Sequence, residues 1–101
     1  MGNPESLIES TAVVASNSCL SSKLEGETVI LHTDADTYYG LNEVGTYVWD
    51  LLQQPRTVEE LCHAVASEYD VTCDECRDDI HALVAELLEY GLVRRADERV
   101  T

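Results

Sequence analysis

The chain lacks phenylalanine and has only one tryptophan, so Leu, Val, Ile, Ala, Tyr and Trp49 must fill its core. Its five glycines are scattered, which excludes a glycine-rich phosphate-binding loop. No apolar run approaches the roughly 20 residues that cross a bilayer, and the start of the chain lacks the basic-then-apolar layout of a signal peptide. We therefore expect a cytoplasmic protein without a membrane partner.

Basic residues are scarce: the chain has 6 Lys and Arg residues and 20 Asp and Glu residues, which gives a net charge of −14. Lys23 is the only base before Arg56. Phosphate contacts require clustered Lys and Arg, so we expect no nucleic-acid partner. A basic peptide or protein fits the charge, since opposite fields steer association. The acidity equally serves solubility, and the sequence leaves both interpretations open.

The cysteines and histidines do not form a convincing catalytic or metal site. Four cysteines without a secretion signal indicate free thiols in a reducing compartment. Cys73 and Cys76 form a C-x-x-C at a helix start, but a βαβ unit is missing and flanking acids oppose a thiolate. A zinc set of Cys62, His63, Cys73 and Cys76 lacks a second close pair. We expect no enzyme activity, no cofactor and no metal, although a thiol or zinc role for Cys73 and Cys76 stays an alternative.

Strand-like segments fill the first forty residues. Apolar and β-branched residues predict strands at Thr11–Ser16, Glu27–Thr33 and Thr37–Leu41, with a tight turn at Asp34–Asp36. Residues 17–26 are rich in Ser and other polar residues and are predicted to be a loop. Residues 1–10 and 95–101 are predicted to be a flexible tail and a polar tail, which leaves one domain at residues 11–94.

Three amphipathic helices follow. Asn42 is a predicted cap of the first, and capping boxes begin the second at Thr57 and the third at Thr72. Gly91 suits the left-handed position that ends a helix. The predicted buried stripes recur at helical spacing. They are Val44, Tyr47, Val48, Leu51 and Leu52; Val58, Leu61, Cys62, Val65, Ala66 and Tyr69; and Ile80, Leu83, Val84, Leu87 and Leu88.

These elements predict an α+β fold of the winged helix-turn-helix type. In DNA-binding versions the third helix carries Arg and Lys toward the groove. Here that helix has Arg77 as its only base among six acids. The chain thus has the architecture without the chemistry that DNA recognition needs.

One segment is more specific than the rest. Tyr39, the pair Leu41-Asn42, Gly45, Trp49 and the pair Leu51-Leu52 resemble the PqqD-like family signature Y-x-LN-x-x-G-x-x-hydrophobic-W-x-LL. The resemblance continues to Gly91-Leu92-Val93 and covers roughly residues 11–94. It implies a three-stranded antiparallel sheet packed on three helices. It also implies a non-catalytic module that recognises the leader segment of a ribosomally made precursor peptide.

The resemblance also implies where the leader binds. Leaders of this family add as one more strand beside the third strand of the sheet and are covered by the third helix. Mapped onto this chain, the strand side is Asp36, Thr37, Tyr38, Tyr39, Gly40 and Leu41, and the helix side is Asp78, Asp79, Leu83, Glu86 and Leu87. Nearby acids favour a basic residue on the leader. Tyr39→Pro is predicted to weaken binding if the Tyr39 N–H faces the open edge.

The partners implied by the resemblance depend on the type of family member. Short stand-alone chains resemble lasso-peptide recognition proteins, which work with a transglutaminase-like leader protease and an asparagine-synthetase-like cyclase. The alternatives are a PqqD-type peptide chaperone for a radical enzyme in cofactor biosynthesis and a small winged-helix regulatory protein. The sequence does not decide among them.

Overall fold

The structure is a computed structural model that describes residues 11–34 and 36–96. It has an α+β fold. The strands are β1 (Val13–Ala15), β2 (Cys19–Leu24), β3 (Glu27–His32), β4 (Thr37–Leu41) and β5 (Val93–Arg95). The helices are α1 (Glu43–Leu51), α2 (Val58–Tyr69) and α3 (Cys73–Glu89). The predicted tail at residues 1–10 and the part of the other tail at 97–101 lie outside the described residues.

The three-stranded antiparallel sheet has the order β2-β3-β4. Its first strand contradicts the predicted loop at residues 17–26, because Cys19–Leu24 pairs with β3 along its whole length. The two strands are joined by Glu25 and Gly26, whose φ angles of 53° and 84° are typical of a two-residue type I′ hairpin. Most of β2 is exposed, so it lacks the alternating apolar residues that reveal a strand in a sequence.

The predicted first strand exists but belongs to a second, smaller sheet. β1 pairs antiparallel with β5, with Val13 opposite Arg95 and Ala15 opposite Val93. Arg95 is predicted to belong to a polar tail, but in the structure it is the last residue of β5. The Ser16 hydroxyl donates to the Gly91 carbonyl at 2.9 Å, which holds the start of the domain against the end of α3.

The helix ends agree with the predicted capping residues. Asn42 accepts the Gly45 N–H at 2.9 Å, and both capping boxes form, Thr57 with Glu60 and Thr72 with Glu75. After the last residue of α3, Glu89, and its cap Tyr90, Gly91 has a φ of 73°, and the Leu92 N–H donates to the Leu87 carbonyl at 2.9 Å. This is the Schellman arrangement. None of the described helices combines the length and apolarity that a bilayer crossing requires.

The core lies between the inner face of the β2-β3-β4 sheet and the helices. Ile30 of β3, Leu41 of β4 and Trp49 of α1 are buried with the apolar stripes of α2 and α3. Val44 is an exception to the predicted stripe of α1, since its side chain is 37% exposed. It lies in the first turn of α1, where it lines the candidate site.

Candidate functional site

Within residues 11–34 and 36–96, β4 is an edge strand, because β3 is its only partner in the order β2-β3-β4. The hydrogen-bond pattern shows which β4 groups face outward. Leu24 and Glu27 flank the two-residue turn, and the Thr33 N–H donates to the Ser18 carbonyl at 2.9 Å. Both contacts show that Glu27 and Thr33 direct their backbone groups toward β2. Because the direction alternates from one residue to the next along a strand, Thr28, Ile30 and His32 of β3 direct their backbone groups toward β4.

The register then assigns the β4 backbone. Thr37, Tyr39 and Leu41 lie opposite His32, Ile30 and Thr28, so their N–H and C=O groups face β3.

Tyr38 and Gly40 therefore direct their backbone N–H and C=O groups to the open edge. Tyr39→Pro, the substitution suggested by the sequence, would remove a donor of the β3–β4 ladder instead of one at the edge. A Cβ on Gly40 would meet nothing within 4 Å, so the outer face of the sheet is uncovered at that residue.

Side chains of β4 alternate as the adjacent tyrosines predict. Tyr38 is 70% exposed on the outer face, and Tyr39 is half-buried on the inner face toward the helices. Leu41 points inward as well and is buried. A strand added beside Tyr38 and Gly40 would therefore direct every second side chain toward the helical side of the sheet.

A groove of about 400 Å³ lies on that side, between β4 and the helices. Val44 and Gly45 of α1 and Asp79, Ile80 and Leu83 of α3 contribute to its walls. The rest of its lining is Tyr39, Gly40, Leu41 and Asn42. The groove thus offers apolar side chains with one exposed carboxylate, next to a backbone edge that can form hydrogen bonds.

A second cavity of about 240 Å³ lies toward the start of β4, and we call it the aromatic pocket. Its lining residues are His32, Thr37, Tyr38, Tyr39, Tyr90 and Leu92. The Tyr39 and Tyr90 rings are 5.5 Å apart between centroids and tilted by 44°. Burial raises the pKa of the Tyr39 hydroxyl, and its hydrogen bond to the Glu86 carboxylate raises it further. Tyr39 therefore stays protonated and is held toward α3.

The structure brings together only part of the set of site residues that the resemblance implies. Tyr39, Gly40, Leu41, Asp79 and Leu83 line the groove. Thr37 and Tyr38 line the aromatic pocket, and Glu86 contacts Tyr39. Three lie apart from both cavities: Leu87 is fully buried in the core, Asp36 is in the turn before β4, and Asp78 is exposed on α3.

Several lining residues were not among the predicted site residues. Val44 was assigned to the core because its spacing matched the apolar stripe of α1. Asn42 and Gly45 were noticed as a cap and as a signature glycine, and both line the groove as well. Tyr90 follows the end of α3, and only its position one turn after Glu86 hints that it lies beside β4.

The cysteines are free. Cys62 is buried in the core, as its place on the apolar stripe predicts, and burial raises the pKa of its thiol to about 11. Cys73 Sγ lies 3.2 Å from His63 Nδ1, at the start of α3 and away from both cavities. In residues 11–34 and 36–96, no three His, Cys, Asp or Glu side chains are placed to share a metal ion.

Comparison with solved structures finds the same fold in peptide-binding proteins. TbiB1 in complex with the TbiA(beta) leader peptide has a TM-score of 0.73 and 28% sequence identity, covering 86% of this chain and 99% of that chain. Lasso peptide synthetase B1 complexed with the leader peptide has a TM-score of 0.70 and 22% identity, covering 81% of this chain and 96% of that one.

A third similar structure is the solution structure of the PqqD truncation of Methylobacterium extorquens PqqCD. It represents a functional and stand-alone recognition element for ribosomally synthesised and post-translationally modified peptides. Its TM-score is 0.72 at 18% identity, covering 86% of this chain and 93% of that one. At this identity, and at that of the lasso peptide synthetase, the likeness shows a shared fold alone.

Comparison with curated proteins finds no match. The family model described as coenzyme PQQ synthesis protein D (PqqD) matches residues 27–93, from the start of β3 to the first residue of β5. That range holds the open edge, the groove and the aromatic pocket, and it spans more than half of the chain. As the segment from Tyr39 to Leu52 predicts, the chain belongs to the PqqD family.

Proposed function

We propose that this protein binds the leader segment of a ribosomally made precursor peptide as a fourth strand beside β4. The observation that carries the proposal is an open backbone edge next to an accessible groove. Support also comes from TbiB1, a protein of the same fold with 28% identity whose structure contains a leader peptide.

Affinity in this mode comes from the backbone. The outward N–H and C=O groups of Tyr38 and Gly40 would exchange hydrogen bonds with every second residue of the leader. These bonds do not depend on the leader sequence. A free leader is disordered, so part of the gain offsets the cost of ordering it.

Specificity comes from the helical side. Leader side chains that point toward the helices would enter the groove, where Leu83 and Ile80 favour an apolar or aromatic residue. Asp79 would favour a basic group at the rim. The proposed contact set remains Asp36, Thr37, Tyr38, Tyr39, Gly40, Leu41, Asp78, Asp79, Leu83, Glu86 and Leu87, with Leu87 acting through the core packing beneath the groove.

The proposed role is delivery without catalysis. The protein would act in the cytoplasm and present the leader to a separate transglutaminase-like protease and an asparagine-synthetase-like cyclase, as in lasso-peptide biosynthesis. The alternative proposal is a PqqD-type peptide chaperone for a radical enzyme in cofactor biosynthesis, and the family description, which names coenzyme PQQ synthesis, supports the cofactor pathway. Either role uses the same edge.

The proposal includes the winged helix-turn-helix description of the fold, with the β3–β4 hairpin as the wing. It excludes DNA as the ligand, because the acidic residues of α3 outnumber Arg77 six to one. A gel shift at moderate salt tests this point, and a shifted DNA band would favour the regulatory winged-helix alternative.

A proline at Tyr38 tests the strand addition. Tyr38→Pro removes an N–H that faces the open edge and is not used in the β3–β4 ladder. Edge strands tolerate proline at such a position. The loss of one backbone hydrogen bond predicts about tenfold weaker binding of the fluorescently labelled leader, measured by fluorescence polarisation. The leader is taken from a short precursor peptide identified by a search of the neighbouring genes.

The matched control is Tyr38→Ala, which removes the same ring and keeps the N–H. Circular dichroism and thermal unfolding establish that both variants are folded. Equal affinity of the two variants for the leader would rule out pairing at this edge.

A further inference from the structure

The aromatic pocket has a negative electrostatic potential, although its walls are mainly apolar. Tyr39 and Tyr90 present two tyrosine rings 5.5 Å apart, at the start of β4 and just past α3. Aromatic faces carry negative potential and attract cations that lie over them. The cavity of about 240 Å³ is large enough for one long side chain.

Two further features of α3 add negative potential beside the aromatic pocket. The Glu86 carboxylate accepts the hydrogen bond of the Tyr39 hydroxyl, one turn before Tyr90. The pocket also lies at the C-terminal end of α3, which is the negative end of the helix dipole, and the last turn has no basic residue. Rings, carboxylate and helix end all favour a positive charge.

We propose that the aromatic pocket binds a cationic side chain, lysine or arginine, of the peptide that pairs with β4. The proposal rests on the strand addition described above and assigns a second, charge-selective position to it. An apolar occupant would fit the walls, but it would gain nothing from Glu86 or the helix end. The net charge of −14 strengthens the preference for a cation.

The geometry also fixes where the basic residue stands in the peptide. The aromatic pocket borders Thr37 and Tyr39, and the groove borders Tyr39 and Leu41. Thr37, Tyr39 and Leu41 share the inner face of β4, so peptide side chains that reach the two sites from that face stand an even number of positions apart. Two or four positions along a strand correspond to about 7 or 13 Å. The peptide therefore has an apolar or aromatic residue for the groove, with the basic residue two or four positions away.

The pocket can be tested without the leader. The probes are capped arginine (Nα-acetyl-arginine methylamide) and its neutral isostere, capped citrulline, titrated into the ¹⁵N-labelled protein by NMR. We expect capped arginine to shift the amide signals of Tyr39, Tyr90 and Leu92 and to bind at least about threefold more tightly than capped citrulline. Equal binding of citrulline, or of capped leucine, would overturn the charge selectivity.

Variants separate the two sources of attraction. Glu86→Gln removes the carboxylate, and Tyr90→Leu removes one ring while keeping an apolar side chain. Each variant is expected to lower the affinity for capped arginine about threefold. The protein has a matched control pair elsewhere. The ring centroids of Tyr47 and Tyr69 are 5.8 Å apart, and Glu68 is one of the carboxylates whose charge acts on Tyr69. Tyr47→Leu and Glu68→Gln should leave arginine binding unchanged. An equal loss in the control variants would refute the assignment.

A second arm links the pocket to the leader. Each basic residue of the leader peptide is replaced in turn, lysine by norleucine and arginine by citrulline. One replacement is expected to weaken binding to the wild type about tenfold but binding to Glu86→Gln only about threefold, because that variant has already lost the contribution of the carboxylate. A leader that binds with no such position overturns the pocket proposal and leaves strand addition intact. Arginine binding without leader binding overturns the proposed function instead.

Discussion

Leu83 and Leu87 are neighbours on α3, and the difference in their exposure separates binding from stability. Leu83 is half-buried and lines the groove, whereas Leu87 is fully buried. Leu87→Ala should lower the free energy of unfolding by about 2–5 kcal/mol, because it leaves a cavity in the core. Leu83→Ala should cost only about 1 kcal/mol of stability. Urea unfolding of both variants measures these changes.

For leader binding, the order of the two variants is reversed. Leu83→Ala is expected to weaken leader binding by about 1–2 kcal/mol, since it removes an apolar wall of the groove. Leu87→Ala should weaken it less, at a temperature where the variant is folded. Stronger loss of binding in Leu87→Ala would place the peptide deeper against α3 than the groove allows.

At the residue scale, the sequence predicts which face of an element a side chain occupies better than it predicts whether that side chain is buried. The period-two rule correctly separates Tyr38 from Tyr39, and the helical period correctly buries Val48, Ile80 and Val84. Val44 has the right spacing and the wrong environment, because burial also depends on what packs over the first turn of α1. Periodicity carries no information about that neighbour.

The capping box at the start of α3 makes stability depend on pH. The Thr72 N–H donates to the Glu75 carboxylate at 2.8 Å, and this bond lowers the pKa of Glu75 below its ordinary value of 4.5. A carboxyl whose pKa is lowered by folding stabilises the protein above its unfolded-state pKa. That contribution is lost as the pH falls through the lower, folded-state pKa.

Glu75→Gln tests this dependence. The variant keeps an oxygen acceptor and loses the charge, so wild type should be more stable at pH 7 and the difference should shrink by about pH 3.5. Urea unfolding at both pH values measures the difference. A difference that stays constant with pH would mean that the charge of Glu75 does not contribute through the cap.

At the element scale, helices and the β3–β4 hairpin were predictable and the other pairings were not. Capping residues and apolar stripes are local signals, and the structure confirms them at Asn42, Thr57 and Thr72. β2 is held by pairing with β3, although its own residues are mostly polar and exposed. Only the Glu25-Gly26 pair, which suits a type I′ turn, could have indicated it.

The β1–β5 sheet was missed for a different reason. Its strands have three residues each and are nearly eighty residues apart in the chain. Strands this short have no measurable period, and no local signal indicates a partner so distant in the sequence. The same limit applies to the aromatic pocket, since Tyr39 and Tyr90 meet only after α3 has packed beside β4.

At the scale of the whole molecule, the charge of −14 repels itself in the folded state. Sodium chloride should therefore raise the thermal unfolding midpoint at pH 7 as the Debye length falls from about 30 Å at 0.01 M to about 3 Å at 1 M. The rise should be smaller at about pH 4.5, where many carboxylates are protonated. A midpoint that falls with salt at pH 7 would show that attractive pairs, such as Lys23 with Asp50, outweigh the repulsion.

The most direct test of strand addition is amide hydrogen exchange, measured by NMR with and without the leader. In the free protein the Tyr39 and Leu41 amides should be protected by the β3–β4 ladder, whereas those of Tyr38 and Gly40 should exchange quickly. Binding of the leader should slow exchange at Tyr38 and Gly40 by at least about tenfold. A leader that binds and leaves both amides exchanging as fast as before would contradict the account.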